Sequence, residues 1–524
     1  MSERVVLVGY GPVGARLVDG LLPAVRDGRI DLTVVGAETH DVYNRVLLAE
    51  YAVGRMDRAG LDMDDRHVAE AAGVRFALGT AVVGVDRHRR AVRLHDGIHL
   101  PYDRLVLATG ARANVPTLAG MERARRDRSA RPTTPDELDL GGAPLPRGVV
   151  ALRDLVDAER VRAAVTSGQR IVVLGAGVLG MELALAAAEA GAEVVVAYHS
   201  AAPMNRTLDE NGGRVLAAAA SAAGVEMAPH ARAESIDLRY DDHGRAWFGG
   251  LVCADGKVLA GDLLVLSCGV GARTELAAAA GVATSTGILV DGASRSWTDP
   301  AIFAIGDCAH VAEPSDVEVA GRVTGGPSGL VGPGWRQADR LAALLSTGAE
   351  VPAAAAERPG VVMLKAEGID VVAGGDVDVD PFAAIHAPGC HVPQATVWAD
   401  PARGSYVKIV TVDGVLTGFV AVGMPRTAAE LTLLFERGSE LPADRSSLLR
   451  LDAPDLGAPI AGDPFAADAT VCWCNGVTAG AIRDAAAAGE PTLACVKAAT
   501  RAATGCGTCA GRITELLARG AVPA

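Results

Sequence analysis

An α/β fold with two Rossmann-like dinucleotide-binding domains is what this 524-residue sequence predicts, on three observations. Residues 4–38 run from an apolar stretch through Gly9-Tyr10-Gly11-Pro12-Val13-Gly14 to a second apolar stretch and Glu38. Residues 170–198 repeat that order around Gly175-Ala176-Gly177-Val178-Leu179-Gly180. Two further apolar runs end in small-residue turns, Ala108-Thr109-Gly110 and Ser267-Cys268-Gly269. A parallel strand buried on both faces reads as a continuous apolar run, and the turn at its end is where backbone comes close to a ligand.

The first unit assigns a task to each of its parts. Gly9 makes the tight strand-to-helix turn, Gly11 lets the backbone approach a pyrophosphate, and Gly14 lets the helix pack close to the strand. The helix start offers free N–H groups and a positive dipole end to the phosphates. Glu38 is placed to accept from a ribose hydroxyl. Glycine is frequent, at 62 residues, so the pattern carries weight only through its context of strand, turn, helix, strand and acid. Next comes Tyr43-Asn44-Arg45-Val46-Leu47-Leu48, read either as a helix start with a surface arginine or as a placement of Arg45 near a cofactor phosphate. Short strands are expected at 74–76 and 91–94, then a buried strand ending at Thr109 and Gly110. Residues 121–147 are charged and rich in proline and glycine, and read as a solvated loop.

The second unit has an apolar run at 171–174, an alanine-rich helix carrying Glu182, and a strand ending at Tyr198. Two matching units mean two dinucleotides, or one dinucleotide and an internal duplicate without a ligand. A strand at 302–305 ends in Gly306-Asp307. That carboxylate can bind a hydroxyl chain, or it can cap the next helix. Residues 361–423 read as a small α/β or β-rich unit whose Asp413-Gly414 pair signals a hairpin. Thr427-Ala428-Ala429-Glu430 resembles a capping box that opens a helix through Arg437. Residues 453–469 read as a linker, and if flexible its ends lie on the order of 20–25 Å apart. Such a linker suits a tethered module that moves between two positions.

Cys472-Trp473-Cys474 and Cys506-Gly507-Thr508-Cys509 frame an expected helix at 479–488 and a β-like run at 492–497. Four thiolates in two tight pairs suit a [2Fe–2S] cluster, two per iron. Zinc is the structural alternative, although its pairs more often have two to four intervening residues. Trp473 is expected to shield the cluster. Cys253, Cys268, Cys308, Cys390 and Cys495 are isolated and read as small buried residues, with Cys308 beside the Gly306-Asp307 turn. Acidic residues outnumber basic ones 63 to 49, which argues against a nucleic-acid partner. No apolar run approaches the roughly 20 residues of a membrane span, and no signal pattern opens the chain, so a cytoplasmic protein is expected.

These motifs, in this order, resemble the two-dinucleotide flavoprotein reductases. More narrowly, they resemble the flavin-containing N-terminal part of NAD(P)H-dependent assimilatory nitrite and nitrate reductases. The narrower likeness rests on residues 43–48, on Pro203-Met204-Asn205-Arg206-Thr207-Leu208-Asp209, and on Leu364-Lys365 with Gly368-Ile369-Asp370-Val371. The C-terminal stretch resembles the bacterioferritin-associated-ferredoxin-like (BFD-like) [2Fe–2S] domain, including Asn475-Gly476-Val477-Thr478 and Thr500-Arg501-Ala502.

The resemblance implies two nested Rossmann-like domains, for FAD (1–120 and 269–350) and for NAD(P) (148–268). It also implies a 121–147 insertion, a small α/β interface domain (361–440), and a small helical [2Fe–2S] domain (470–520). FAD would be held by Gly9, Gly11, Gly14, Glu38, Arg45, Thr109, Gly110 and Asp307. NAD(P)H would be held by Gly175, Gly177, Gly180, Glu182, Tyr198 and Gly269, and the cluster by Cys472, Cys474, Cys506 and Cys509. With no cysteine in the first flavin-binding half, a disulfide relay of the glutathione reductase kind is excluded.

Two departures qualify the likeness. Glu50 stands where related ferredoxin reductases carry lysine, and Tyr198-His199 stands where NADH-specific members carry an acid, which leaves NADH versus NADPH open. The chain runs only a short way past the cluster module, so no nitrate- or nitrite-reducing site of its own is expected. The implied function is electron transfer from NAD(P)H to a separate acceptor, the catalytic subunit of assimilatory nitrate reductase. The alternatives are a reductase for a separate sirohaem nitrite reductase or other redox partner, and a zinc-bearing redox-sensing or scaffold flavoprotein.

Overall fold

The computed structural model describes residues 2–63, 66–121, 145–240, 242–317, 323–348, 360–382, 391–442, 444–449, 451–452, 465–473, 475–505, 507 and 509–520. Most of the expected 121–147 loop, most of the 453–469 linker, and Cys390, Cys474 and Cys506 lie outside them.

Strand β1 (Glu3–Val8) leads through the glycine turn into helix α1 (Pro12–Arg26), and β2 (Ile30–Gly36) returns parallel to β1. A short turn of helix at Arg45–Leu47 continues into α2 (Leu48–Ala52). Strands β3 (Arg75–Leu78) and β4 (Arg104–Leu107) pair parallel with β2 and β1. Val5, Val6 and Leu7 of β1 and Leu105, Val106 and Leu107 of β4 are buried on both faces, which is why these two strands read as continuous apolar runs, while β2 alternates at its start.

The chain then builds a second parallel sheet. It comprises β5 (Val149–Val150), α3 (Leu155–Thr166), β6 (Ile171–Leu174), α4 (Val178–Glu189), β7 (Val194–Ala197), α5 (Glu210–Ala222), β8 (Val225–Ala228) and β9 (Leu263–Leu266). Its order is β8-β7-β6-β9-β5. Strand β10 (Ile302–Ala304) then rejoins the first sheet beside β4, giving β10-β4-β1-β2-β3. Helix α6 (Val331–Thr347) packs on α1, where a Cβ at Gly20 would lie 2.6 Å from that of Ala342. Leu17, Val18 and Leu21 of α1 are buried beneath it, each contributing about 1.5–3 kcal/mol by leaving water.

A third sheet is antiparallel: β11 (Val362–Ala366), β12 (Ile369–Gly375), β13 (Gln394–Asp400), β14 (Ser405–Val412) and β15 (Val415–Val422), in the order β11-β12-β15-β14-β13. Asp413 and Gly414 both have positive φ (51° and 80°), the signature of the hairpin turn that the sequence signals. The expected capping box is not formed. Helix α7 (Pro425–Arg437) starts two residues earlier on proline, and the Thr427 hydroxyl donates to the Leu448 carbonyl at 2.8 Å. The sheet is pinned to α5 by one buried polar cluster. Asp209, the N-cap of α5, accepts from Tyr406 Oη at 2.5 Å and lies 3.5 Å from Lys408 Nζ.

The C-terminal residues form a small helical unit with its own core of Phe465, Val471, Ile482, Val496, Ile513 and Leu516. Its helices are α8 (Ala479–Ala488), α9 (Leu493–Thr500) and α10 (Ala510–Gly520). The β-like run expected at 492–497 is therefore helical. Thr492 caps it, accepting from the Cys495 amide at 3.2 Å.

Lys408→Met would leave the Asp209 carboxylate buried without its cation, and should cost about 3 kcal/mol of stability. A urea titration followed by circular dichroism checks this. Adding Asp209→Asn to that variant should recover part of the loss, and an unchanged midpoint for Lys408→Met alone would rule out the anchoring role.

Candidate functional site

The two glycine turns are built alike. Gly9 (φ +108°) and Gly175 (φ +113°) adopt a backbone open to glycine, and a Cβ at either would fall 2.2 Å from a carbonyl oxygen of the neighbouring strand end, Ala108 or Ser267. At Gly14 and Gly180 a Cβ would meet the Gly9 and Gly175 oxygens at 2.4 and 2.1 Å, so only glycine lets helix and turn approach this closely. Gly11 and Gly177 differ: nothing lies within 4 Å of a Cβ there. Both are helix N-caps with no side-chain cap, which leaves the first N–H groups of α1 and α4 for a ligand.

A cavity of about 1560 Å³ runs along the carboxyl ends of the first sheet. It brings together Gly9, Gly11, Gly14, Glu38, Arg45, Thr109, Gly110 and Asp307, and reaches Val178, Leu179 and Glu182 of α4. That volume exceeds the ordinary small-molecule range of roughly 300–1,000 Å³ and suits an extended dinucleotide.

A chain of charge crosses the groove. Glu38 takes an ion pair from Arg45 and a hydrogen bond from Tyr43 Oη at 2.8 Å. Arg45 donates to the Arg153 carbonyl at 3.1 Å, and Arg153 donates to Asp307 Oδ2 at 3.1 Å and to the Ala111 carbonyl at 3.2 Å. Burial opposes ionisation of Glu38, but Arg45 and Tyr43 outweigh it and hold the carboxyl below its ordinary value. Burial depresses Arg153, helped by the positive Arg45 beside it and countered by Asp307. Arg45, read two ways from sequence, lines the groove. Asp307 caps no helix by its side chain and faces Arg153.

Sequence reasoning missed several groove residues. Arg153 is a single arginine before the Asp154 N-cap of α3, and only tertiary packing brings it to Asp307. Trp335 donates from its indole to the Pro12 carbonyl at 3.1 Å, and Gln337, which does not itself line the groove, accepts from the amide of the lining residue Gly306 at 2.7 Å. Both follow the glycine- and proline-rich start of α6, a turn signal that had no partner in the motif reading.

The remaining expected residues sit elsewhere. Gly175, Gly177, Gly180 and Gly269 lie at the strand ends of the second sheet, outside this cavity. Tyr198 directly follows β7 with its side chain in the core, and His199 beside it is exposed. Glu50 pairs with Arg55 at 3.4 Å. Among the described residues no cysteine lines the groove. Cys308 is buried beneath the Thr109-Gly110 turn, donating to the Leu107 and Ile305 carbonyls at 3.3 Å, and burial raises its thiol pKa. Cys268 and Cys495 are only partly buried, contrary to expectation, while Cys253 is buried.

In the C-terminal unit Cys472 and Cys509 are buried, and the Asn475 amide lies 3.8 Å from Cys472 Sγ. Two buried thiols in a small helical frame, one with an amide donor beside it, fit a thiolate-bound cluster. Trp473, Asn475 and Gly476 of this unit line the same groove as Gly9 and Asp307. Trp473 therefore faces the groove and is not confined to the module.

A groove on one parallel sheet, joined by the helix of a second nucleotide-type sheet, defines a two-dinucleotide oxidoreductase. Residues 3–324 match the family described as Pyridine nucleotide-disulphide oxidoreductase, and the chain belongs to that family. It is an FAD-dependent NAD(P)H oxidoreductase. Residues 470–519 match the BFD-like [2Fe-2S] binding domain, which selects the iron–sulfur reading over zinc. The chain is 26% identical to the assimilatory nitrate reductase electron transfer subunit of Bacillus subtilis (strain 168), over 98% of its own length and 59% of the relative's. It is 30% identical to the nitrite reductase [NAD(P)H] large subunit of Klebsiella oxytoca, over 98% of its length and 48% of that protein. It thus spans about half to three-fifths of these curated relatives. The fold is also that of a crystal structure of the covalent putidaredoxin reductase–putidaredoxin complex (TM-score 0.68, 22% identity, 86% of this chain and 98% of that one).

Because Gly11 and Gly177 have open space and negative φ, alanine fits the fold at either. Gly11→Ala should keep the melting temperature of the flavin-free protein yet lower FAD retention by about tenfold or more. Gly177→Ala should keep FAD and weaken NAD(P)H binding. Flavin content and nucleotide titration check the pair; loss of FAD from both variants alike would contradict separate sites.

Proposed function

We propose that this chain is the electron-transfer component of assimilatory nitrate reductase, working in the cytoplasm and passing electrons from NAD(P)H to a separate catalytic subunit. When bound, FAD and the [2Fe–2S] cluster supply the conversion of a two-electron donor into a one-electron supply. The residues of the chain bind and orient. The Gly9–Gly14 turn and the open end of α1 would hold the FAD pyrophosphate, Glu38 a ribose hydroxyl, and Asp307 the flavin's hydroxyl chain, with Arg153 fixing Asp307 in place. The Gly175–Gly180 turn would hold NAD(P)H, with Glu182 at the meeting of the two sites. Cys472, Cys474, Cys506 and Cys509 would hold the cluster.

The observation that carries the reading is one groove bordered by both α4 and the Trp473 loop, so donor and cluster module each reach it. The named acceptor rests on the likeness to the nitrate reductase subunit. A second reading, service to a nitrite-reducing enzyme, rests on the likeness to the nitrite reductase large subunit.

Anaerobic mixing of the cluster-reconstituted protein with NADH or NADPH, followed by flavin absorbance and the reduced-cluster EPR signal, tests the reading. Both centres should be reduced, and the faster nucleotide is the physiological one. Nitrite formation from nitrate should then require both this protein and the catalytic subunit. Reduced centres with no nitrite would overturn the named acceptor. A bleached flavin with an oxidised cluster would overturn the relay.

A further inference from the structure

We propose that a polar latch between helix α1 and the C-terminal module holds the cluster domain in its electron-loading position over the flavin groove, with Asp19, Asn44 and Arg501 as positioning residues. The proposal rests on the electron-transfer reading above.

The module has its own hydrophobic core, distinct from that of the first parallel sheet. It nevertheless touches that sheet at specific polar points. Arg501 Nη2 lies 2.6 Å from Asp19 Oδ2, on the helix that opens at the glycine turn. Asn44, buried at 5% exposure, donates to the Thr504 carbonyl at 3.2 Å and also to that of Gly505. Its other amide atom accepts from the Val46 amide at 3.0 Å, so the side chain is fixed from its own loop and aimed at the module. Three residues further on, the Leu47 side chain stands 3.4 Å from where a Cβ on Gly507 would be.

The latch connects directly to a cluster ligand. Arg501 ends α9 with φ +60°, a conformation that turns its carbonyl toward Asn475, whose amide donates to it at 2.7 Å. The same amide lies 3.8 Å from Cys472 Sγ, and Asn475 also lines the flavin groove. One short path therefore runs from α1 through Arg501 and Asn475 to the cluster thiol. The Asp19–Arg501 pair is partly exposed, at 27% and 39%, and salt screens a pair of that kind. Such a latch can hold the loading position and still release the module to an acceptor. Tyr43 and Arg45 bond to Glu38 while Asn44 between them bonds to the module, so one loop serves both the cofactor groove and the latch.

The test compares the parent with Asp19→Arg, Arg501→Asp and the double exchange. With NAD(P)H under anaerobic stopped flow, flavin bleaching should stay within about twofold of the parent in all three. Cluster reduction should slow about tenfold in each single variant and return in the double exchange, the scale expected of a mispositioned donor and acceptor. Small-angle X-ray scattering gives a readout independent of turnover: the radius of gyration should rise in the single variants and fall back in the double. If one single variant fails to fold, the other probes the same pair from the opposite side. Parental cluster reduction and parental dimensions in a folded single variant would overturn the latch. A parent whose cluster stays oxidised would overturn the electron-transfer reading instead.

Discussion

The structure depends on one close contact made twice: the carbonyl oxygen at the end of a parallel strand touching the Cα of a glycine in the adjacent turn. At Gly9 that oxygen belongs to Ala108, and at Gly175 to Ser267. No side chain fits there, so each helix starts directly behind its turn and points its uncapped N–H groups outward. The parallel register of β1 with β4, and of β6 with β9, places those strand ends level with the turns. Two phosphate-seeking helix ends follow from backbone geometry alone.

What separates the two units is the chemistry laid over the turns. The first sheet gathers Glu38, Arg45, Arg153 and Asp307 into a connected line, with each charge balanced by a neighbour. In a partly buried groove that balance matters, because an unpaired charge removed from water is costly. Among the described residues Tyr198, directly after β7, turns into the core of the second sheet. The first groove is lined mostly by apolar surface and crossed by that charged line, and the second turn, Gly175–Gly180, lies outside it.

Much of this was legible in the residues. Continuous apolar runs marked both parallel sheets, Asp413-Gly414 marked its hairpin, and the helix at 479–488 appeared at its expected bounds. The misreadings share a cause. Leu493-Ala494-Cys495-Val496 is too short to distinguish strand from helix by period, and the Thr492 cap decided it. Thr427 had the spacing of a capping box, but Pro425 starts a helix without one and Leu448 takes the hydroxyl. Arg153 has no local signature, since its importance arises from a contact with a residue 154 positions away. The seat of the C-terminal module on α1 was equally hidden: no pattern links Asp19 to Arg501.

We read that seat as the feature that would make the molecule a relay and not merely two binding sites with a tethered tail. The Trp473 loop closes one side of the groove, α4 borders another, and the latch on α1 holds the arrangement. Pulsed EPR on anaerobically half-reduced protein tests this most directly, by measuring relaxation of the flavin radical with the cluster oxidised and then reduced. Marked acceleration when the cluster is reduced is the expected result, since the module that would hold the cluster borders the groove that would hold the flavin. A flavin signal whose relaxation ignores the state of the cluster would contradict it.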